Sequence, residues 1–200
     1  MDYPLILASA SPRRKRLLQQ IGLPFLPLTS HVEENRVLDQ SPGNLCLLAE
    51  KKARAVLMKS DNSWILGADT IVVLGEKILG KPMDHNEARS MLYLLSGHVH
   101  RVITGFCILD PSGRLAQVKE VTTFVKMKKL TDYDIDAYID TGEPFGKAGS
   151  YAIQGVGAFM VETISGSYTN VVGLPVCTLI KCLLITGALK RFPFMGVQST

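Results

Sequence analysis

Basic and hydroxyl side chains follow a short apolar run near the start of the chain. Leu5–Leu7 predicts a buried strand, and Ser11-Pro12 predicts a helix start, because serine suits the N-cap and proline the first helical position. Arg13 and Arg14 then fall in the first helical turn, close to Ser9. The free N–H groups and partial positive charge of a helix N-terminus favour an anion such as a phosphate. Arginines there are also compatible with a solvated turn, so both interpretations stay open.

An acidic residue stands inside a strongly apolar strand pattern. Residues 64–74 have the sequence WILGADTIVVL, with Asp69 at the centre. A carboxylate inside such a run costs free energy unless it is paired or binds a metal. Gly67 and Ala68 leave room for a bend or a ligand beside it. Asp69 is therefore a candidate catalytic or metal-binding residue, and the alternative is a structural aspartate that caps backbone N–H groups.

Two lysines are placed where they could accompany these groups. A helix predicted from Ser41-Pro42 repeats apolar residues at steps of three and four through Val56, and Lys52 falls on that inward face. A lysine on an inward face either extends to solvent or points to an anion in a cleft. Lys81 follows the strand predicted after the Gly75-Glu76 turn and lies near the end of that strand.

The elements that must position these residues alternate between strands and helices. The predicted helices cover residues 12–21, 42–56, 84–95, 131–139 and a last segment from 175, and the predicted strands cover residues 5–7, 25–28, 64–74, a return strand ending at 80, 99–109, 115–125 and 159–164. The glycine-rich segment 142–157 is predicted to be a loop that lines a site. The alternation predicts an α/β fold with a mixed sheet. We expect one domain over residues 1–190 and a C-terminal tail over 191–200.

Composition narrows the classes of function. A hydrophobic fraction of 46% with 20% charged residues indicates a globular chain, and a net charge of +4 suits an anionic small molecule. No basic run is long enough to predict nucleic-acid binding. The four cysteines have neither a CxxC pair nor zinc spacing. No signal peptide or membrane span is predicted, so we expect a cytoplasmic protein. His98 and His100 suggest either a metal pair or a solvated or hydrogen-bonded pair.

Taken together and in order, the motifs resemble the Maf family of nucleotide pyrophosphatases across roughly residues 5–189. The motifs are Ser9-Ala10-Ser11-Pro12-Arg13-Arg14, Glu33-Glu34, Lys52-Ala53, Gly67-Ala68-Asp69-Thr70, Lys81-Pro82 and the segment KAGSYAIQG from Lys147 to Gly155. The resemblance implies hydrolysis of a nucleoside triphosphate to the monophosphate and pyrophosphate, with a divalent cation, Mg²⁺ or Mn²⁺. It also implies an elongated α/β fold similar to that of the inosine triphosphate pyrophosphatases, with the site in a cleft, and a homodimer.

Within that family the chain resembles the dTTP/UTP pyrophosphatase branch. The residues matching Arg13, Thr70 and Gln154 are associated with substrate choice in that branch, and all three differ from the pattern of the 7-methyl-GTP branch. Two positions depart from the family pattern: Gly146 stands where an aspartate is commoner, and Ala152 where a glycine is commoner. With glycine at position 146, the carboxylate that the family pattern would place beside Lys147 is not expected here.

The resemblance and the chemistry of the residues together predict a role for each group. Asp69 would be a proton acceptor or a metal ligand, with Glu33 or Glu34 as a further metal ligand. The residues expected to hold the phosphates are Arg13, Lys52, Lys81 and Ser9, with Arg14 as a further candidate. Gln154 can offer both a donor and an acceptor to a pyrimidine. Because the family is also linked by name to septum formation, the alternative is a nucleotide-binding regulator that acts through a protein partner.

Overall fold

The computed structural model of the chain describes residues 3–30, 32, 44–60 and 62–194. The helices are α1 (Pro12–Gln20), α2 (Leu45–Leu57), α3 (His85–Leu95), α4 (Asp132–Asp140), α5 (Tyr168–Val172) and α6 (Val176–Ile185). The strands are β1 (Leu5–Leu7), β2 (Leu26–Pro27), β3 (Trp64–Leu74), β4 (Lys77–Leu79), β5 (Val99–Leu109), β6 (Leu115–Met127) and β7 (Val161–Ser165). Within these ranges, no helix combines the length and apolar character needed to cross a bilayer.

The described strands form one mixed sheet in the order β2-β1-β3-β5-β6-β7, with β4 paired to β3. β1 runs parallel to β2 and β3. The remaining pairs, β3 with β4 and β5, β5 with β6, and β6 with β7, are antiparallel. The predicted α/β fold with a mixed sheet flanked by helices is confirmed.

Helices cover both faces of the sheet around β3. Side chains alternate between the two faces of a strand, and accordingly Leu66 packs in one apolar cluster with residues of α1 and α6, whereas Ile65 packs in another with α2. A third cluster joins α3 and α4 to the far end of the sheet. Both faces of β3 are therefore buried, which explains why its sequence is almost continuously apolar.

The segment between β7 and α6 differs from the sequence expectation. Helix α5 was not predicted, since its sequence YTNVV is rich in β-branched residues that favour strands. Tertiary contacts override that preference, because the buried Asn170 side chain donates to the carbonyl oxygens of Val102 and Val121 at 3.0 Å each. The Ser167 hydroxyl accepts the Asn170 N–H at 3.2 Å and caps the helix.

The start of β7 and the packing of the segment after α6 also differ from the sequence expectation. A 3₁₀ turn over Val156–Met160 precedes β7, so the strand begins two residues later than predicted. At the end of the chain, Phe192 and Phe194 pack against the apolar cluster that contains α1 and α6.

Candidate active site

Every predicted site residue that the structure describes lines one cleft of about 290 Å³. These residues are Ser9, Arg13, Arg14, Lys52, Asp69, Thr70, Lys81 and Gln154. They come from the β1–α1 junction, α2, β3, the end of β4 and the loop that precedes β7, so the sheet order brings together groups that are far apart in sequence. Glu33 and Glu34, predicted as metal ligands, lie outside the described residues, as does the predicted helix start at Ser41-Pro42.

The Asp69 carboxylate forms an ion pair with Lys52 inside the cleft. Lys52 Nζ donates to Asp69 Oδ1 at 2.5 Å, and the two side chains are 6% and 14% exposed. The pairing offsets much of the cost of placing a carboxylate within an apolar strand. Lys52 lies on the buried face of α2 as predicted and points to the carboxylate rather than extending to solvent. The pair places a polarised carboxylate next to a cation at the centre of the cleft.

Close contact between α2 and the sheet is what brings Lys52 to Asp69. A Cβ at Gly67 would lie 2.1 Å from the carbonyl oxygen of Ala49, and a Cβ at Gly105 would lie 2.8 Å from the backbone of Leu45. Gly105 is also the cross-strand partner of Asp69 in β5. Because only glycine leaves space for the helix backbone at these positions, the two glycines set the distance from α2 to the acidic residue.

Replacing Gly67 by alanine is expected to push α2 away from the sheet and separate Lys52 from Asp69. Overpacking of this kind lowers the free energy of unfolding by about 1–3 kcal/mol. Urea denaturation would measure the loss. Gly80→Ala is the matched control, because nothing lies within 4 Å of a Cβ at that position. Equal stability of the two variants would contradict the close contact.

The Arg14 guanidinium is almost fully enclosed by the protein, at 7% exposure. Its Nε donates to the Gly173 carbonyl oxygen at 2.8 Å, and Nη1 donates to the Ala68 carbonyl oxygen at 2.8 Å and to Ser9 Oγ at 3.1 Å. Nη2 donates to Thr70 Oγ1 at 3.0 Å. The planar fork therefore joins the start of α1 to β3 and to the residue that follows α5.

Thr70, predicted to govern substrate choice, takes part in the same network. Its hydroxyl lies 2.9 Å from Thr104 Oγ1 in the neighbouring strand, and Thr104 Oγ1 donates to the Asn170 carbonyl oxygen at 3.4 Å. Thr70 also faces the cleft. Arg14 and Thr70 thus form a hydrogen-bonded wall of the cleft, and their positions depend on β5 and α5.

Arg13 has a different environment from Arg14. It is half-buried in the cleft wall, and within the described part of the chain it makes no hydrogen bond or ion pair. Partial burial lowers the pKa of its guanidinium. Burial, followed by the positive charge of Arg13, lowers the pKa of Lys147, which also lines the cleft. Two cations that disfavour each other across a cleft provide a favourable place for an anion.

Lys147 and Tyr151 are cleft residues to which the sequence interpretation gave no role. Both belong to the glycine-rich segment, and the basic charge of Lys147 in that segment was the available indication. The Tyr151 hydroxyl lies 2.7 Å from Nε2 of His100, which is buried and whose pKa is lowered to about 4 by that burial. His98 instead contacts the Ser96 carbonyl oxygen. The interpretation of His98 and His100 as hydrogen-bonded side chains is confirmed.

Lys81 and Gln154 complete the cleft from two sides. Lys81 is exposed directly after β4, and the Gly149 N–H donates to the Gly80 carbonyl oxygen at 2.9 Å, which holds the end of β4 against the glycine-rich segment. Gln154 is half-buried, and its side-chain amide has no hydrogen-bond partner among the residues the structure describes. A donor and an acceptor are therefore available there to a ligand.

A divalent cation would depend mainly on Asp69. Among the described residues, no group of three or more histidine, cysteine, aspartate or glutamate side chains is close enough to hold a metal. Mg²⁺ commonly uses one or two protein carboxylates and completes its coordination with phosphate oxygens and water. Asp69, as one carboxylate in a cleft that is also lined by cations, fits that pattern.

The chain is similar to known proteins over most of its length. The family model of Maf-like proteins matches residues 4–185. Proteins named dTTP/UTP pyrophosphatase are similar to the chain: one from Syntrophotalea carbinolica is 47% identical, over 96% of this chain and 88% of the relative. One from Ruminiclostridium cellulolyticum is 53% identical, over 86% and 90%. A third, from Halalkalibacterium halodurans, is 46% identical, over 94% and 99%.

A solved structure of a nucleoside-triphosphatase, dITP/XTP pyrophosphatase, from Mycobacterium abscessus aligns with 64% of this chain and 75% of its own, at 15% identity and a TM-score of 0.38. The family match over residues 4–185 and the identity to the curated relatives show that the chain belongs to the family of Maf-like proteins.

Proposed function

We propose that this protein hydrolyses dTTP and UTP to the nucleoside monophosphate and pyrophosphate. The observation that carries the proposal is the cleft in which the Asp69–Lys52 pair lies with Arg13, Lys81 and Lys147. One carboxylate among several cations suits attack of water on a polyphosphate. The relatives named dTTP/UTP pyrophosphatase support both the choice of reaction and the choice of pyrimidine nucleotides as substrates.

Asp69 is the group that receives a proton from the attacking water or holds the metal. Lys52, at 2.5 Å, holds the carboxylate in one orientation within the cleft. A positioned general base typically contributes about 10²- to 10⁴-fold to a rate. Because both side chains are largely shielded from solvent, their charges act more strongly on a bound phosphate than exposed charges would.

The remaining cations bind and orient the triphosphate. Arg13, Lys81 and Lys147 all line the cleft. Negative charge that develops on the phosphate oxygens is offset by these groups, and the start of α1 adds backbone N–H groups near Ser9. Arg14, which donates to protein acceptors throughout, contributes by holding this wall in place.

Mg²⁺ or Mn²⁺ is the proposed cofactor, held by Asp69 and by phosphate oxygens of the substrate. When bound, such an ion neutralises phosphate charge and lowers the pKa of a coordinated water. Glu33 and Glu34 remain predicted ligands from the sequence. Gln154 is proposed to read the pyrimidine, because an amide offers a donor and an acceptor side by side.

Further properties are proposed from the Maf resemblance. We expect a cytoplasmic homodimer that acts on free nucleotides rather than on nucleic acid. The sequence predicts a catalytic domain over residues 1–190 and a C-terminal tail over 191–200, and Phe192 and Phe194 of that tail pack against the core of the domain.

Pyrophosphate release from a nucleotide panel tests the proposal. With Mg²⁺ or Mn²⁺ present, dTTP and UTP are expected to be turned over in preference to CTP, GTP and 7-methyl-GTP, and chelation of the cation with EDTA is expected to stop the reaction. Chromatography of the products should show the monophosphate. No release from any nucleotide by the folded protein with metal present would contradict the proposal and favour the nucleotide-binding regulator.

A further inference from the structure

The loop that carries Gln154 is folded around two polar side chains beneath it. Tyr138 of α4 is fully buried, and its hydroxyl oxygen accepts the backbone N–H of Ala152 at 3.1 Å. The Glu143 carboxylate accepts the backbone N–H of Gly157 at 2.8 Å through Oε2. These hydrogen bonds fix the loop backbone two residues before and three residues after Gln154.

Contacts at two glycines show how closely the loop fits these side chains. A Cβ at Gly155 would lie 2.0 Å from Glu143 Oε1, and Gly155 adopts a φ of 80°, which a residue with a Cβ rarely does. A Cβ at Gly157 would lie 2.8 Å from the Tyr138 hydroxyl oxygen and 2.4 Å from the Ala152 carbonyl oxygen. The loop backbone therefore lies directly on the Tyr138 and Glu143 polar groups.

The two side chains also act on each other. Burial is the main cause that raises the pKa of Tyr138, and the nearby charge of the Glu143 carboxylate raises it further. The Tyr138 hydroxyl and the Glu143 carboxylate thus lie near each other beneath the loop, and each accepts a backbone N–H from it.

Gln154 lies between Ala152 and Gly157, whose backbone N–H groups are hydrogen-bonded. The side-chain amide of Gln154 has no hydrogen-bond partner among the described residues. Its place in the cleft is therefore set by the backbone on either side. We propose that Tyr138 and Glu143 are positioning residues that hold Gln154 where its side-chain amide can hydrogen-bond to the pyrimidine of the substrate. This inference rests on the proposed function of Gln154 in choosing dTTP and UTP.

Tyr138→Phe tests the inference, because it removes the hydroxyl and keeps the ring that packs in the core. The KM for dTTP is expected to rise about tenfold, as loss of a buried hydrogen bond loosens the loop. The kcat should change by less than about threefold, since the phosphate-binding groups are untouched. Discrimination between dTTP and CTP should fall by a similar factor. Tyr133→Phe is the matched control, because Tyr133 belongs to the same helix and is 81% exposed.

Hydrogen–deuterium exchange of residues 152–157 gives a second readout that does not require turnover. The amides of Ala152 and Gly157 should exchange faster in Tyr138→Phe than in the wild type or Tyr133→Phe. Glu143→Gln, which weakens the acceptor for Gly157 without removing it, should shift both exchange and selectivity in the same direction by less.

The outcomes separate the two proposals. Absence of dTTP turnover in the wild type would overturn the proposed function. If the wild type hydrolyses dTTP but Tyr138→Phe keeps its KM and its preference over CTP, the positioning role is wrong. A fall in kcat with no change in KM or selectivity would also overturn it, because that result would place the effect at the phosphates.

Discussion

Asp69→Asn is expected to reduce pyrophosphate release from dTTP to background while leaving a folded protein. An amide cannot accept a proton from water and binds Mg²⁺ poorly, so the loss should be at least about 100-fold, the lower end of what a general base supplies. The amide oxygen can still accept the hydrogen bond that Lys52 now makes at 2.5 Å. We therefore expect the free energy of unfolding to fall by only about 1–3 kcal/mol, which leaves a typical domain folded.

Asp140→Asn is the matched control for this substitution. It makes the same chemical change at an exposed carboxylate at the end of α4, outside the cleft, and should leave turnover and stability unchanged. Initial rates and urea denaturation would be measured on both variants. Substantial pyrophosphate release by Asp69→Asn would contradict the catalytic assignment, whichever of its two roles the carboxylate has.

Arg14→Ala is expected to lower stability far more than Arg13→Ala, although the two arginines are adjacent. Removing Arg14 takes a charged donor from the buried carbonyl oxygens of Ala68 and Gly173 and from Ser9 Oγ, and leaves only a 3.4 Å contact from Thr70 to the Gly173 oxygen and a 3.2 Å hydrogen bond from the Ser11 N–H to Ser9 Oγ. Unsatisfied buried polar groups and the resulting space should together cost about 3–4 kcal/mol. In a chain of this size that corresponds to a fall in Tm of about 6–16 °C.

Arg13→Ala should change the free energy of unfolding by less than about 1 kcal/mol, because within the described residues its guanidinium makes no hydrogen bond or ion pair. It should instead raise the KM for dTTP by removing a cation from the cleft. Thermal unfolding and steady-state kinetics on the two variants would separate the roles. Equal losses of stability would show that the difference in environment between Arg13 and Arg14 has no energetic consequence.

Arg14→Lys extends this comparison. A lysine keeps the charge but cannot reproduce the planar fork that donates to Gly173, Ala68 and Thr70 at once. Its stability should fall close to that of Arg14→Ala. If charge alone mattered, the lysine variant would match the wild type.

Local sequence patterns were enough to predict most elements that carry the site. The Ser11-Pro12 helix start is confirmed, with the Ser11 hydroxyl accepting the Arg14 N–H and Pro12 at the first helical position. The apolar run around Asp69 forms β3, and the inward face of α2 includes Lys52. These patterns depend on capping, periodicity and burial, which neighbouring residues in the chain determine.

Contacts between distant segments could not be derived in the same way. Residues 168–172 form a helix because the Asn170 side chain donates to carbonyl oxygens of β5 and β6. The local sequence YTNVV does not favour a helix. The hydrogen bonds that Tyr138 and Glu143 accept from the loop each join residues 14 positions apart in the chain. Such contacts depend on how the helices lie on the sheet.

Sequence patterns are sufficient to identify the kinds of groups in the cleft: an acid in an apolar strand, cations at a helix start and on an inward helix face, and an amide in a glycine-rich loop. Which of these groups is held by protein hydrogen bonds and which remains available to a ligand depends on tertiary contacts. Arg13 and Arg14 are identical in type, adjacent in sequence and both at the cleft, yet only Arg14 is enclosed by acceptors from three segments. The physical reason is that hydrogen-bond satisfaction of a buried guanidinium depends on acceptors supplied by strands and loops far along the chain, which the first helical turn does not encode.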